Sequence, residues 1–151
     1  VDPWFIIDSA PDEAQLIRTA RLVNDSKPVF VLNKVSQIVE STGKEISELS
    51  IACLGLAFKP NIDDLRESPA LSIAQEISNI GFRSTFLVEP NIDFIPTGFG
   101  SENTELVKLE MAIKSADIII LLVDHAPFKL MDLSLLSGKQ VIDTRGIWSY
   151  L

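Results

Sequence analysis

The sequence contains one cysteine, Cys53, and one histidine, His125. One cysteine cannot form an intramolecular disulfide. Because zinc sites are built mainly from several cysteines and histidines, a zinc site is improbable, and we expect no bound metal. The sequence also lacks an apolar run near the ~20 residues that cross a bilayer, and its first residues lack the basic start and apolar stretch of a signal peptide. These features favour a protein of the reducing cytoplasm.

Positive charge is also scarce. The chain has 13 Lys and Arg against 21 Asp and Glu, which gives a formal net charge of −8. The resulting field would repel polyanions, so neither nucleic acid nor an anionic membrane is expected as the main partner, whereas a small anion can still bind to a few local cations. With 151 residues, 46% of them hydrophobic, the chain can form one domain with a real core.

Residues 9–40 have apolar side chains at helical spacing, which predicts helix. Ser9 is expected to cap the first segment, and Pro28 to break it, with Asp25 or Ser26 capping a second helix that ends near Gly43. We therefore predict a helical segment over residues 1–48 and a separate domain over residues 49–151.

The second part alternates strands with helices, which predicts an α/β fold with a doubly wound parallel sheet in three layers. A continuous apolar run is typical of a strand buried on both faces. The predicted strands are Ile51–Phe58, Ser84–Val88, Asp117–Val123 and Gln140–Asp143. The predicted helices are Ala70–Ile80, opened by Ser68 and Pro69, then Glu105–Ser115, and a short helix after Pro127. Residues 90–103 are expected to form a mobile loop.

Sheets of this kind bind ligands outside the carboxyl ends of their strands. Two of the four predicted strand ends carry a cation, Lys59 after the first strand and Arg145 after the last. We expect both to face one crevice and to bind a diphosphate, which needs converging donors. On spacing alone, two solvated surface cations remain the alternative.

The segment from Gly55 to Ala70 reads GLAFKPNIDDLRESPA. It resembles, almost residue for residue, the signature of the UDP-binding domain of the UDP-glucose/GDP-mannose dehydrogenase family. In that family the lysine of the motif contacts the sugar nucleotide and its arginine reaches NAD held by another domain, so the resemblance implies these roles for Lys59 and Arg66. Arg145, in the sequence DTRG, is similar to the late arginine that the family uses on the UDP-sugar.

The amino end, VDPWF, also resembles this family. The resemblance implies that Asp2 is the catalytic aspartate that assists hydrolysis, and that the nucleophilic cysteine stands a few residues before the equivalent of Val1, so that the chain begins after it. A terminal carboxylate without a role is the alternative for Asp2. UDP-glucose enzymes carry a lysine at the position of Val1, and this departure favours the branch that oxidises N-acetylated sugars.

The resemblance implies an NAD-dependent oxidation of the C6 alcohol of a UDP-sugar to a carboxylate, for surface polysaccharide. It also implies a homodimer through residues 9–40, although these helices could instead cover their own sheet. The chain lacks the Gly-x-Gly-x-x-Gly turn of a dinucleotide-binding domain, so we expect NAD to bind mainly elsewhere and the chain to be inactive alone. The alternatives are a UDP-N-acetylglucosamine or UDP-glucose enzyme, a non-catalytic nucleotide-binding or dimerisation module, and a receiver-like domain.

Three further features favour structural roles. Cys53 lies in the middle of a buried strand, where a thiol is ordinary packing rather than a nucleophile. His125 follows a strand and could titrate near neutral pH, but it has no visible partner, which favours a structural or cleft-lining role. Asp63, Asp64 and Glu67 are expected to cap the following helix rather than bind a metal.

Overall fold

The computed structural model describes residues 2–100 and 102–148, except the side chain of Asp2. In this part the helices are α1 Asp2–Ser9, α2 Gln15–Asp25, α3 Lys27–Thr42, α4 Pro69–Ser78, α5 Leu109–Ser115 and α6 Ala126–Leu130. The strands are β1 Ser50–Leu54, β2 Ser84–Val88, β3 Thr104–Leu106, β4 Ile118–Leu121 and β5 Gln140–Asp143. Two short 3₁₀ helices cover Ile46–Glu48 and Leu133–Leu136.

The strands form one parallel sheet in the order β3-β2-β1-β4-β5. Every residue of β1 and β4 is buried, because helices cover both faces. Val31 and Val35 of α3 join Ile73 and Ile77 of α4 on one face. On the other face, Phe128 belongs to the cluster that α5 forms with the sheet. The predicted three-layer α/β fold is therefore confirmed.

The amino-terminal helices differ from the prediction at their start. Ser9 ends α1 instead of capping a helix, and its hydroxyl donates to the carbonyl of Ile6 at 3.2 Å. A turn containing Pro11 follows, and α2 begins only at Gln15. The break at Pro28 is confirmed, since Pro28 lies in the first turn of α3, where a missing amide costs nothing.

The caps of α3 agree with the sequence only in part. Ser26 occupies the expected N-cap position of α3, but its hydroxyl donates backward to Val23 at 2.7 Å and caps nothing. The helix ends at Thr42, and Gly43 is its C-cap, where a φ of 65° suits glycine. The domain boundary near residue 48 stays a prediction; α3 shares its buried residues with the sheet core.

Several predicted bounds in the α/β part are wrong. The first strand ends at Leu54 rather than Phe58, because the chain turns at Gly55 with a φ of 89°. The predicted helix from Glu105 was wrong in its first half, where Thr104–Leu106 pairs with β2 as an edge strand. Strands β2 and β5 have the predicted bounds. Residues 90–100 and residues 102–103 contain no helix or strand.

Candidate functional site

The carboxyl ends of β1 and β4 meet at the point where the strand order reverses, which is where open parallel sheets hold their ligands. Gly55 directly follows β1 there and has a positive φ. A Cβ at this position would lie 2.5 Å from the Cβ of Val123, which follows β4. Glycine is therefore required both by the backbone angle and by the close approach of the two strand ends.

Glu89, which directly follows β2, is a buried acidic residue with 4% of its surface exposed. One carboxylate oxygen accepts the backbone N–H groups of Leu56 at 2.8 Å and Ala57 at 3.0 Å. The other accepts the backbone and side-chain N–H groups of Asn91 at 3.1 and 3.0 Å. These bonds attach the turn after β1 to the end of β2.

His125, at the end of β4, is fully buried and supplies a further bond to Glu89. Its Nε2 lies 2.9 Å from Oε2 of Glu89, and its Nδ1 accepts the backbone N–H of Asn61 at 2.8 Å. A ring nitrogen that accepts a backbone N–H carries no proton, so the arrangement fixes the neutral tautomer with hydrogen on Nε2. His125 thus has a structural role and joins the loops after β1, β2 and β4.

The ionised form of Glu89 is stabilised by its neighbours. Burial alone would raise its pKa, but the hydrogen bonds from His125, Leu56 and Asn91 lower it below its usual value. The carboxylate also occupies the amide groups of Leu56 and Ala57, which in a dinucleotide-binding turn would face a pyrophosphate. These two amide groups are therefore not available to the pyrophosphate of NAD.

Lys59 stands in the middle of the segment that this network fixes. It is exposed, and its Nζ lies 5.6 Å from the ring centre of Phe58. The backbone N–H of Phe58 donates to the carbonyl of Asp64 at 2.8 Å, which closes the segment into a compact loop. The ammonium group is thus presented to solvent beyond the carboxyl end of β1.

Arg145 stands after β5 in a turn that Asp143 organises. One oxygen of Asp143 accepts the backbone N–H groups of Arg145 at 2.8 Å and Gly146 at 2.7 Å. The Nε of Arg145 donates to Asp124 at 3.0 Å, and Asp124 also binds Lys129 at 2.6 Å. The hydrogen bond from Lys129 and the nearby charge of Arg145 lower the pKa of Asp124. Both cations remain about half exposed.

Arg145 also lines a cleft with a volume of about 850 Å³ between α3 and the carboxyl end of β5. Two lysines of α3, Lys27 and Lys34, line the same cleft and both approach the ring of Phe30. Lys59 lies outside this lining in the part of the chain that the structure describes. The convergence of Lys59 and Arg145 on one ligand therefore stays a prediction.

Arg66 points into solvent, with 88% of its side chain exposed. It forms a two-point ion pair with Asp64 at 2.9 and 2.8 Å, and the hydrogen bonds of Arg66 lower the pKa of Asp64 to about 2. Asp64 was expected to cap α4, and this prediction was wrong because Arg66 occupies its carboxylate. Ser68 caps the helix instead, by accepting the N–H of Leu71 at 3.2 Å.

The remaining candidate residues contribute little to the described site. Cys53 is fully buried, and burial raises its pKa to about 12, which agrees with a packing role. The side chain of Asp2 lies outside the described residues, so its catalytic role stays a prediction. Within residues 2–100 and 102–148, no group of three His, Cys, Asp or Glu side chains could hold a metal ion. No helix in the same range could cross a bilayer.

Sequence reasoning missed the bond between Glu89 and His125 and the ion pairs of Asp124. Both groups lie at predicted strand ends, and strand adjacency is the signal that could have paired them. Strand β2 is followed by Glu-Pro-Asn and β4 by a segment that contains Asp-His. The strand order places these two strands on either side of β1, so their ends lie close together.

Comparisons with known proteins show a family and agree with the fold. Residues 52–150 match the family model described as the UDP binding domain of the UDP-glucose/GDP-mannose dehydrogenase family. The chain is 49% identical to NDP-N-acetyl-D-galactosaminuronic acid dehydrogenase of Ralstonia nicotianae over 99% of its length, and 49% identical to UDP-N-acetyl-D-mannosamine dehydrogenase of Salmonella typhi over 98%. A solved UDP-D-ManNAc dehydrogenase from Pyrococcus horikoshii has a TM-score of 0.76 at 30% identity and covers 97% of the chain. The chain spans only 34% and 36% of the two curated relatives and 33% of the solved one.

Proposed function

The chain belongs to the UDP-glucose/GDP-mannose dehydrogenase family, and from that premise we propose that it is the UDP-sugar-binding part of a longer NAD-dependent UDP-N-acetyl-D-mannosamine 6-dehydrogenase. The observation that carries the proposal is the match of residues 52–150 to the family's UDP-binding domain. The site geometry supports it, because exposed cations follow β1 and β5 at the edge of the sheet where such ligands bind.

The proposed reaction oxidises the C6 alcohol of the sugar to a carboxylate. NAD, when it is bound, is the hydride acceptor, and the residues of this chain bind and orient the substrate. Lys59 and Arg145 contact the UDP moiety, Arg66 reaches the cofactor, and Asp2 assists the hydrolytic step. The enzyme is cytoplasmic in this proposal, where both nucleotides are available.

The chain alone is expected to be inactive. Its single cysteine is Cys53, which is fully buried and has a pKa raised to about 12. A thiol in this state does not act as a nucleophile at neutral pH. NADH formation by the 151-residue chain alone that depends on Cys53 would contradict the proposal.

A second sugar has specific support. The galactosaminuronic acid dehydrogenase of Ralstonia nicotianae is 49% identical to the chain, the same value as the mannosamine enzyme of Salmonella typhi. UDP-N-acetylgalactosamine is therefore the second candidate substrate. Incubation of the full-length protein with NAD and each of the two UDP-sugars, and with UDP-N-acetylglucosamine and UDP-glucose, should give most NADH with UDP-N-acetylmannosamine.

The binding roles are tested by substitution in the full-length protein. Lys59→Ala and Arg145→Ala should each weaken UDP binding by roughly 1.5–3 kcal/mol, because each removes a charge-assisted contact. Matched controls are Lys44→Ala, in the segment that leads into β1, and Arg83→Ala, which precedes β2. Arg66→Ala should raise the KM for NAD more than that for the sugar. Unchanged UDP affinity in both site variants would place the binding site elsewhere.

The proposed assembly is a homodimer through residues 9–40. Leu16 of α2 is 81% exposed and Val23 is 56% exposed, whereas Val31 and Val35 of α3 pack on the chain's own sheet. The interface proposed here therefore centres on α2. Leu16→Glu combined with Val23→Glu should give monomers in sedimentation of the full-length protein, and Leu130→Glu, on an 85% exposed residue of α6, should leave the dimer intact.

A further inference from the structure

Two side chains that belong to no assigned site hold the Lys59 segment at both of its ends. At the first end, Oε2 of Glu89 accepts the N–H groups of Leu56 and Ala57. At the second end, Nδ1 of His125 accepts the N–H of Asn61. A bond of 2.9 Å between His125 and Glu89 connects these two anchors into one unit.

Asn61 strengthens the second anchor. Its Oδ1 accepts the N–H of Ala126 at 2.9 Å, so the residue binds the loop after β4 through both its backbone and its side chain. Asn61 has a φ of 61°, a left-handed conformation that asparagine tolerates better than most residues. Between the two anchors stand only three residues, Phe58, Lys59 and Pro60.

The network is also more than core filling. Three of its bonds are directed at the backbone of one short segment, and its members come from the ends of β2 and β4, the two neighbours of β1. Because the Glu89 carboxylate accepts the amides of Leu56 and Ala57, these two groups are not available to a phosphate. The charged donor of this segment for an anion is the ammonium group of Lys59, whose position depends on how the segment is held.

We propose that Glu89 and His125 are positioning residues for the sugar nucleotide, which act by fixing the segment that presents Lys59. The inference rests on the proposed function, since it assumes that Lys59 contacts the UDP moiety. Neither side chain touches the ligand. Each lowers the conformational freedom of the lysine's backbone before the ligand arrives, which improves affinity by preorganisation.

The test measures UDP binding to the full-length protein by calorimetry, without NAD. Glu89→Gln keeps the shape of the side chain but removes the charge. His125→Phe keeps a ring but removes its hydrogen bonds to Glu89, Asn61 and Asn91. Each should weaken UDP binding roughly 5–10-fold, and Glu89→Asp should restore part of the loss. Asn61→Gly, which tolerates the positive φ, should give a smaller loss and serves as the variant least disturbing to the fold.

The decisive measurement is the same set of changes in a Lys59→Ala background. If the pair acts through Lys59, Glu89→Gln and His125→Phe should then change the affinity less than about twofold, since coupled residues are not additive. An equal loss in both backgrounds would overturn the inference and leave the pair as a stabiliser of the fold only. Unchanged UDP affinity in Lys59→Ala alone would instead overturn the proposed contact of Lys59.

Asp117 provides the matched control at the opposite edge of the sheet. Its carboxylate accepts the N–H of Ser50 at 2.9 Å, at the amino end of β1, so Asp117→Asn disturbs the same strand away from the Lys59 segment. This variant should bind UDP as tightly as the unmodified protein. A loss equal to that of Glu89→Gln would mean that any weakening of β1 lowers affinity, and the inference would fail.

Discussion

The two candidate cations stand at the same edge of the sheet but are held in different ways. Lys59 belongs to a segment whose backbone is held by hydrogen bonds to Glu89 and His125, both of which are buried. Arg145 is held by Asp124, which it shares with Lys129 at the surface. A buried carboxylate with several donors fixes a backbone, whereas a half-exposed ion pair can exchange partners when an anion binds. We therefore call the Lys59 segment the rigid half of the proposed site and the turn of Arg145 its adaptable half.

The largest expected effect is a difference in the free energy of unfolding between a variant of the rigid half and a variant of the adaptable half. Glu89→Ala leaves His125 and the amides of Leu56 and Ala57 without their buried acceptor, so it should lower the free energy of unfolding by about 3–5 kcal/mol. Asp124→Ala removes two ion pairs with half-exposed partners, each of which should contribute about 1 kcal/mol or less. Urea unfolding followed by the fluorescence of tryptophan, including the buried Trp148, measures both. Equal losses would remove the distinction between the two halves.

A pair of glycines sharpens the comparison. Gly55 in the rigid half has no room for a side chain, since a Cβ there would lie 2.9 Å from the backbone nitrogen of Val123. A Cβ added at Gly146, beside Arg145, would meet no heavy atom within 4 Å. Both have positive φ, 89° and 69°, so alanine strains both backbones by about 1–2 kcal/mol. Gly55→Ala should cost roughly 1–3 kcal/mol more than Gly146→Ala, because the strand ends must separate. Similar melting temperatures for the two variants would contradict the close packing of β1 against β4.

The sequence predicted the fold better where the signals are local. The bounds of β2 and β5 and the break at Pro28 follow from apolar runs and from proline, and each is confirmed. The edge strand Thr104–Leu106 was missed because three residues are too few for a pattern. Its one apolar residue, Leu106, also continues the spacing of α5.

The candidate site was predictable only as a set of strand ends. Lys59, Arg66 and Arg145 were identified from their places in the sequence and from the family resemblance. The bond between Glu89 and His125 joins residues 36 positions apart, and it depends on a strand order that places β2 and β4 on either side of β1. His125 therefore had no visible partner in the sequence, although its partner is a carboxylate at another strand end.

The smallest expected effect concerns pH and salt. The pKa values of Glu89 and Asp124 are both lowered in the folded chain, so each carboxylate stabilises the fold fully above its unfolded pKa and loses this contribution as the pH falls through its folded pKa. The difference in unfolding free energy between the unmodified chain and Glu89→Gln should therefore shrink as the pH is lowered below about 4.5.

At pH 7, raising the salt to about 1 M should reduce the contribution of Asp124 to the unfolding free energy, because its partners are half exposed. It should leave the contribution of Glu89 nearly unchanged, because buried pairs are screened much less. Urea titrations of Glu89→Gln and Asp124→Asn at low and high salt measure this difference. If salt reduces both contributions equally, the Glu89 carboxylate is reached by solvent and the Lys59 segment is not the rigid half of the site.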